Sequence, residues 1–222
     1  MRAIFNQRVP MSKYQFSWNV DTVLSEISSW GTNDDLDIKS LSWKLTMLLA
    51  LASAGRSSEL NSLNCKYMKL QDSFIHFELP IHTKTCRSGS DNRKPSFDSY
   101  KDDPNWCAVS CINHYINRTK SWREINGKID RSWLILSMVK PHHPITTSPV
   151  ARWLKQTIAK SGMSNTFTGY STRLASTSKA KRAGLSAKEI IEQANWTTES
   201  TFMKFYCRPL DSIAYQQAVL TR

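Results

Sequence analysis

The stretch 168-TGYSTRLASTSKAKRAG-184 is dense in small, hydroxylated and basic residues and ends at a glycine. A glycine after a helical pattern is a common stop signal, so the stretch predicts a helix that ends near Gly184. Its small residues allow close packing or close approach, and Lys179, Lys181 and Arg182 add positive charge. Side chains of these types contact phosphates in protein–DNA complexes. The helix is therefore predicted to follow a phosphate backbone, with a solvated basic face as the alternative.

The whole chain carries the same bias in charge. Its 222 residues include 30 lysines and arginines against 18 aspartates and glutamates, which gives a formal net charge of +12. Such a balance makes a polyanion the first candidate partner. A basic protein with a solvated surface is the simpler alternative, because charge alone does not identify a ligand.

Length and cysteine usage limit the class of protein. A chain of 222 residues can bury an ample core as one large domain or two small ones. The five cysteines are odd in number and lack paired spacing, and the N-terminus has no secretion pattern. These features predict a reducing, intracellular setting. The longest apolar run, residues 45–54, is too short to span a bilayer and predicts a core helix, with no membrane segment.

Hydrophobic periodicity predicts a mainly helical chain. Apolar residues recur at helical spacing in residues 21–30, in 41-LSWKLTMLLALASAG-55, in residues 109–119, and after the pair Ser148–Pro149. Asp21 and Ser148 are predicted N-caps, and Gly55 is the predicted end of the second helix. Ser186 and Glu189 are predicted to form a capping box.

A small sheet is predicted in the middle of the chain. The segment 74-FIHFEL-79 fits a strand, and 80-PIHTKTCRSGSDNRKP-95 has the composition of an exposed basic hairpin or loop. The segment 132-SWLILS-137 fits either a short strand or a buried turn. The predicted fold class is mainly α with a small antiparallel β-sheet (α+β). Residues 1–17 are predicted to be a linker or lead-in.

Five short segments carry the candidate chemistry. They are 54-AGRSSEL-60, 82-HTKT-85, 170-YSTR-173, 194-ANW-196 and 201-TFMKFYCRP-209. Their order and spacing resemble the catalytic domain of tyrosine recombinases, the phage integrase family, and most closely the DIRS- and Crypton-type recombinases of eukaryotic mobile elements. The resemblance covers residues 18–222 and implies the catalytic-domain fold of that family. It also implies that the family's N-terminal core-binding domain is absent.

The resemblance implies a site-specific DNA recombinase or integrase. Enzymes of this family break and rejoin DNA strands through a 3′-phosphotyrosyl intermediate, without a metal ion or another cofactor. The implied partners are double-stranded DNA and further copies of the chain in a synaptic tetramer, and the implied location is the nucleus if the source is eukaryotic. Two alternatives remain open: a domesticated DNA-binding domain with attenuated or lost activity, and a type IB topoisomerase-like activity.

Arg56 and Arg173 are the phosphate clamp that the resemblance implies. Guanidinium groups suit this role because they offer planar, bidentate donors. Glu59 would orient a guanidinium, although an ordinary surface ion pair with Arg56 is the alternative. Trp196 fills the family's His or Trp position, where its indole N–H can donate to a phosphate oxygen. A simple core tryptophan is an equally good account.

Tyr206 is the implied nucleophile, whose phenolate would attack phosphorus. It stands ten residues after Trp196, as in the mobile-element branch, whereas many phage-type members have a spacing of nine. Lys84 is the implied acid that protonates the leaving 5′ oxygen, and Arg87 beside it is a predicted DNA contact. A solvated loop lysine is the alternative for Lys84.

Tyr170 is a departure from the family, which has histidine at this position. An imidazole exchanges a proton near neutral pH and a phenol does not. The phenol can still donate a hydrogen bond to a phosphate oxygen. The substitution predicts a slow or inactive enzyme.

Cys107, Cys111 and His114 recur at helical spacing and are a candidate metal site. They lack a paired cysteine motif and an obvious fourth ligand. We therefore predict buried helix-face residues and no metal.

Overall fold

The computed structural model describes residues 13–71, 73–80, 92–123, 131–196 and 198–210. Within these ranges the helices are α1 (Val20–Ser29), α2 (Ile38–Ser53), α3 (Ser57–Leu60), α4 (Ala108–Arg118), α5 (Lys120–Arg123), α6 (Thr147–Lys160), α7 (Gly169–Arg182), α8 (Ala187–Ala194) and α9 (Glu199–Phe205). The strands are β1 (Met68–Leu70), β2 (Phe74–Phe77) and β3 (Ser96–Asp98), and they form one antiparallel sheet in the order β1–β2–β3. The predicted α+β class is confirmed.

Helix α2 is the centre of the main core. Every residue from position 41 to position 50 is buried, which explains why this segment is apolar almost all round. The helix packs against α4, α6 and α7. Fully burying one leucine such as Leu45 stabilises the fold by about 1.5–3 kcal/mol.

The end of α2 differs from the sequence prediction and places the next segment. The left-handed residue at this end is Ala54, with φ of 48°, and not Gly55. Gly55 is required for a different reason: a Cβ there would lie 2.7 Å from the Ser53 Oγ and 3.1 Å from a methyl carbon of Leu60. The chain therefore turns sharply at this point and delivers Arg56 to the start of α3.

Two of the predicted helix starts are wrong by about two residues. Helix α1 is capped by Asn19, whose side chain accepts a hydrogen bond from the Asp21 N–H, and α6 follows Thr146 as its N-cap. Pro149 consequently lies in the first turn of α6, where its missing N–H costs nothing. The capping box of Ser186 and Glu189 is confirmed.

Helix α7 contains most of residues 168–184, the stretch of small, hydroxylated and basic residues. Its first half is buried, and its small residues serve close packing against α6. A Cβ on Gly169 would lie 2.8 Å from the Ala151 carbonyl oxygen, so only glycine allows this approach. The predicted helix end is also confirmed, because α7 ends at Arg182 and Gly184 follows with φ of 97°.

Residues 132–137 form a buried turn with isolated bridges, which pair Asn64 with Trp133 and Leu136 with Pro144. Residues 13–17 pack on the domain: the Tyr14 hydroxyl lies 2.8 Å from the Thr168 hydroxyl, and the Ser17 N–H donates to the Pro209 carbonyl at 2.9 Å. The boundary at residues 17–18 stays a prediction.

No helix in the described ranges has both the length and the apolar character needed to cross a membrane. Those ranges also contain no group of three His, Cys, Asp or Glu side chains able to hold a metal ion. Cys107 and Cys111 are buried, and burial raises the pKa of the Cys111 thiol to about 12.

Candidate active site

Glu59 lies at the centre of the candidate site. It is 3% exposed, on the short helix α3, and it has arginine side chains around it. Burial alone would raise the pKa of this carboxyl. The charge of Arg93, a hydrogen bond from the Arg56 backbone N–H and the charge of Arg173 outweigh burial, so the pKa is lowered. Glu59 is therefore an ionised carboxylate inside a positively charged pocket.

Arg56 precedes α3 and binds Glu59 through both backbone and side chain. Its backbone N–H donates to the Glu59 Oε2 at 3.0 Å, and its NH1 group donates to the Oε1 at 2.6 Å. Its side chain is 25% exposed, so Arg56 can be reached from solvent. Arg56 and Glu59 therefore pair inside the pocket. The alternative of an ordinary surface ion pair is excluded, because Glu59 is buried.

Arg173 comes from the first half of α7, and its side chain is 3% exposed. It donates to the Ala194 carbonyl, and its NH1 lies 4.0 Å from the Glu59 Oε2, too far for a hydrogen bond. Its Nε and NH1 are buried and have no hydrogen-bond partner among the residues that the structure describes. Burial, together with the charges of Arg56 and Arg93, lowers the pKa of this guanidinium to about 9. Arg173 thus carries unused donors and a poorly compensated charge.

Tyr206 and Trp196 form the wall beside Arg173. The two ring centroids are 4.4 Å apart, and the Arg173 guanidinium lies 4.7 Å from the Trp196 ring and 6.0 Å from the Tyr206 ring. Trp196 is buried against Phe202 in a small second core that also includes Ile190 and Ala194. Tyr206 itself is half-buried at the end of α9, so its phenol is accessible from solvent.

Tyr170 contacts the predicted nucleophile directly. Its hydroxyl oxygen lies 2.6 Å from the Tyr206 hydroxyl oxygen, and its side chain is 53% exposed at the start of α7. Partial burial and the hydrogen bond with Tyr206 raise the pKa of Tyr170 above its ordinary value. Tyr170 therefore stays protonated and is suited to donate a hydrogen bond to an ionised Tyr206.

Ser178 belongs to the hydroxylated stretch that was predicted to follow a phosphate backbone, but the structure places it inside the site. Its buried hydroxyl donates to the Tyr206 carbonyl at 2.6 Å and accepts from the Arg208 N–H at 3.0 Å. It ties the backbone on both sides of Cys207 to α7. The sequence held no signal for this role, because Ser178 lies five residues after Arg173 on one helix, a spacing that does not place two side chains on the same face.

The three basic residues near the end of α7 lie apart from the arginine cluster. Lys179 pairs with Asp21, and Arg182 donates to the Ser17 hydroxyl at 3.4 Å and to the Arg208 carbonyl at 3.2 Å. Lys181 is exposed. Their proposed contact with DNA stays a prediction. Lys84 and Arg87, the predicted hairpin residues, lie outside the described residues.

The geometry brings together Arg56, Glu59, Tyr170, Arg173, Trp196 and Tyr206 from four segments that are far apart in the chain. Such an arrangement offers guanidinium donors for non-bridging phosphate oxygens next to an accessible phenol. Chemically, it can bind a phosphodiester and present an oxygen nucleophile to it.

Several solved structures that share this fold are DNA recombinases or integrases. The structure superposes on XerA recombinase with a TM-score of 0.63 and 17% identity, covering 98% of this chain and 68% of XerA. XerH site-specific recombinase, bound to a palindromic difH substrate in a post-cleavage complex, superposes with a TM-score of 0.64 and 11% identity. The match covers 92% of this chain and about half (52%) of XerH. The Tn1549 transposon integrase in complex with transposon right-end DNA superposes with a TM-score of 0.62 and 12% identity. The match covers 99% of this chain and 70% of the integrase chain.

No protein-family model matches the sequence, and no curated protein matches it. The fold that these structures share with this chain is nonetheless the fold that the ordered motifs predicted. The chain therefore has the fold of tyrosine recombinase catalytic domains.

Proposed function

We propose that this protein is a site-specific DNA recombinase or integrase of the tyrosine type, which breaks and rejoins DNA strands through a 3′-phosphotyrosyl intermediate. The observation that carries the proposal is the convergence of Arg56 and Arg173 on Glu59, next to the accessible phenol of Tyr206. The XerH and Tn1549 integrase structures, which share the fold, are complexes with DNA. The net charge of +12 also favours a nucleic-acid partner.

In the proposed reaction the Tyr206 phenol gives its proton to solvent water, and the resulting phenolate oxygen attacks the scissile phosphorus. A new oxygen–phosphorus bond forms at the 3′ side, and the bond from phosphorus to the 5′ oxygen breaks. Arg56 and Arg173 stabilise the charge on the non-bridging oxygens, a contribution for which one donor is commonly worth about 100-fold to 1,000-fold in rate. Tyr170 donates to the phenolate, and Lys84 is our candidate for the acid that protonates the leaving oxygen. Attack by the freed 5′-hydroxyl reverses the step without net hydrolysis.

Covalent trapping tests the proposal. A duplex nicked close to the cleavage site loses its short 5′-hydroxyl fragment after cleavage, so rejoining is prevented. We expect a denaturation-resistant protein–DNA adduct, with mass spectrometry placing a nucleotide on the peptide that contains Tyr206. Since the target sequence is unknown, a library of nicked duplexes with randomised sequence around the nick is the substrate. Absence of any adduct from the whole library would reject strand transfer by this protein.

A second candidate function, a DNA-binding domain with attenuated chemistry, is favoured by Tyr170. General acid–base catalysis is typically worth about 100-fold to 10,000-fold, and a phenol that stays protonated cannot accept the proton of Tyr206. We expect Tyr170→His to speed adduct formation by about 100-fold at pH 7, measured in single-turnover assays, with Tyr170→Phe as the control for loss of the hydroxyl alone. Absence of adduct from all three proteins, together with salt-sensitive DNA binding, would favour the binding domain.

The remaining details of function are proposals that rest on the resemblance. They include the kinship with DIRS- and Crypton-type recombinases, assembly into a synaptic tetramer, nuclear location in a eukaryotic source and the 18–222 boundary of the catalytic domain. The lambda integrase structure with the same fold is a dimer bound to a core site. Analytical ultracentrifugation of the protein with its DNA substrate tests the tetramer.

A further inference from the structure

Arg93 is a buried arginine that lies outside the five short segments quoted for their chemistry. It lies three residues before β3 and is 8% exposed. Its NH1 donates to the Glu59 Oε2, and its NH2 donates to the Ser53 carbonyl and, at 2.8 Å, to the Gln193 carbonyl. One guanidinium therefore connects the end of α2, the helix α3 and the end of α8.

Through Glu59, Arg93 acts on the two clamp arginines. The Glu59 Oε2 accepts from Arg93 and from the Arg56 backbone N–H, which leaves the Oε1 facing the Arg56 side chain at 2.6 Å. Without Arg93 the carboxylate would be free to turn toward Arg173, which now lies 4.0 Å away and makes no hydrogen bond to it. Arg93 thereby keeps the donors of Arg173 available.

Through α8, Arg93 also acts on the wall of the site. Arg93 and Arg173 donate to the carbonyls of the consecutive residues Gln193 and Ala194. Helix α8 ends there, and Asn195 turns the chain with φ of 51° into Trp196, which packs on Tyr206. The two arginines therefore hold the same turn from which the aromatic wall begins.

We propose that Arg93 is a positioning residue for strand cleavage, acting through Glu59 and the end of α8 without touching DNA. The inference rests on the proposed function and adds a residue to its machinery. A shift of about 1 Å in a reacting group can cost about 100-fold in rate. One guanidinium connects to the clamp through Glu59 and to the turn that leads into Trp196 through the Gln193 carbonyl.

Single-turnover adduct formation by Arg93→Met tests the proposal. We expect cleavage at saturating DNA to slow about 100-fold, with a much smaller change in the DNA dissociation constant, because the clamp arginines keep their charge and only their position shifts. The double variant Arg93→Met with Glu59→Gln should be no slower than the slower single variant, since both changes disrupt one unit. Independent, multiplying losses would show that Arg93 does not act through Glu59.

Arg123 supplies a matched control for general loss of structure. It is a half-buried arginine that donates to the carbonyls of Arg131, Trp133 and Leu134 at 2.7–3.0 Å, away from the site. We expect Arg123→Met to lower the melting temperature without slowing cleavage by the folded protein. If Arg93→Met does not fold, Arg93→Lys keeps the charge but not the planar fork, and we expect it to fold and cleave about 10-fold more slowly.

The outcomes separate the two proposals. An adduct from the unmodified protein with equally fast cleavage by folded Arg93→Met or Arg93→Lys would overturn the role of Arg93 alone. Absence of adduct from the unmodified protein on the randomised nicked duplexes would overturn the proposed function, and with it any role of Arg93 in cleavage.

Discussion

Tyr206→Phe is expected to abolish the covalent protein–DNA adduct. Loss of a nucleophile has cost about a millionfold in another covalent enzyme, which places residual adduct below detection. The fold should be unaffected, because the Tyr206 ring packs on Trp196 and its hydroxyl contacts Tyr170 at the surface of the site. DNA affinity should also be unchanged, because the arginines are intact. Denaturing gel electrophoresis measures the adduct, and a filter-binding assay measures the DNA affinity.

Tyr170→Phe is the matched control for this prediction. It removes a hydroxyl that lies 2.6 Å from that of Tyr206, so the polarity of the pocket changes to a similar extent. We expect this control to retain an adduct. If Tyr206→Phe still forms an adduct that maps to Tyr170, the nucleophile has been assigned to the wrong member of the pair.

Arg173→Met is expected to remove activity and to stabilise the protein. Strand cleavage should fall about 100-fold to 1,000-fold, as for other donors to a developing negative charge. The free energy of unfolding should rise by about 1–2 kcal/mol, because a thioether replaces a buried charge that has two neighbouring arginines and, within the described ranges, two nitrogens without a hydrogen-bond partner. For a chain of this length the melting temperature would rise by about 2–8 °C in scanning calorimetry.

The pH dependence of this stabilisation identifies its cause. The pKa of Arg173 in the folded protein is lowered to about 9, below its value in the unfolded chain. Above pH 9 the unfolded wild type therefore binds more protons than the folded one, and wild-type stability rises with pH. The gain in the free energy of unfolding of Arg173→Met over the wild type should be full at pH 7 and smaller at pH 10.

Arg173→Lys is the control, since it keeps a buried charge and should show no gain in stability. A variant Arg173→Met that is less stable than the wild type at pH 7 would show that the contacts of Arg173 with the Ala194 carbonyl and the Trp196 ring outweigh its desolvation.

The ordered motifs predicted the fold and most members of the site. Arg56, Arg173, Trp196 and Tyr206 could be chosen as candidates because each stands in a segment that resembles a motif of the tyrosine recombinases, in the same order. Helix boundaries were less accurate. Asp21 and Ser148 were the predicted N-caps, but Asn19 and Thr146 occupy the N-cap positions, because tertiary packing selects among neighbouring residues with similar capping ability.

By itself the sequence determined the fold class, the apolar character of α2 and the basic charge, since these depend on local pattern and composition, whereas the resemblance to tyrosine recombinases supplied the nucleophile candidate. Only the tertiary structure decided that Tyr170 contacts Tyr206, that Ser178 ties down the Tyr206 backbone and that Arg93 joins Glu59. These contacts join residues 28 to 36 positions apart in the chain. No local pattern encodes such pairs, because they form only when packing of the helices removes the side chains from water and leaves each charge or hydroxyl with the partners that the fold supplies.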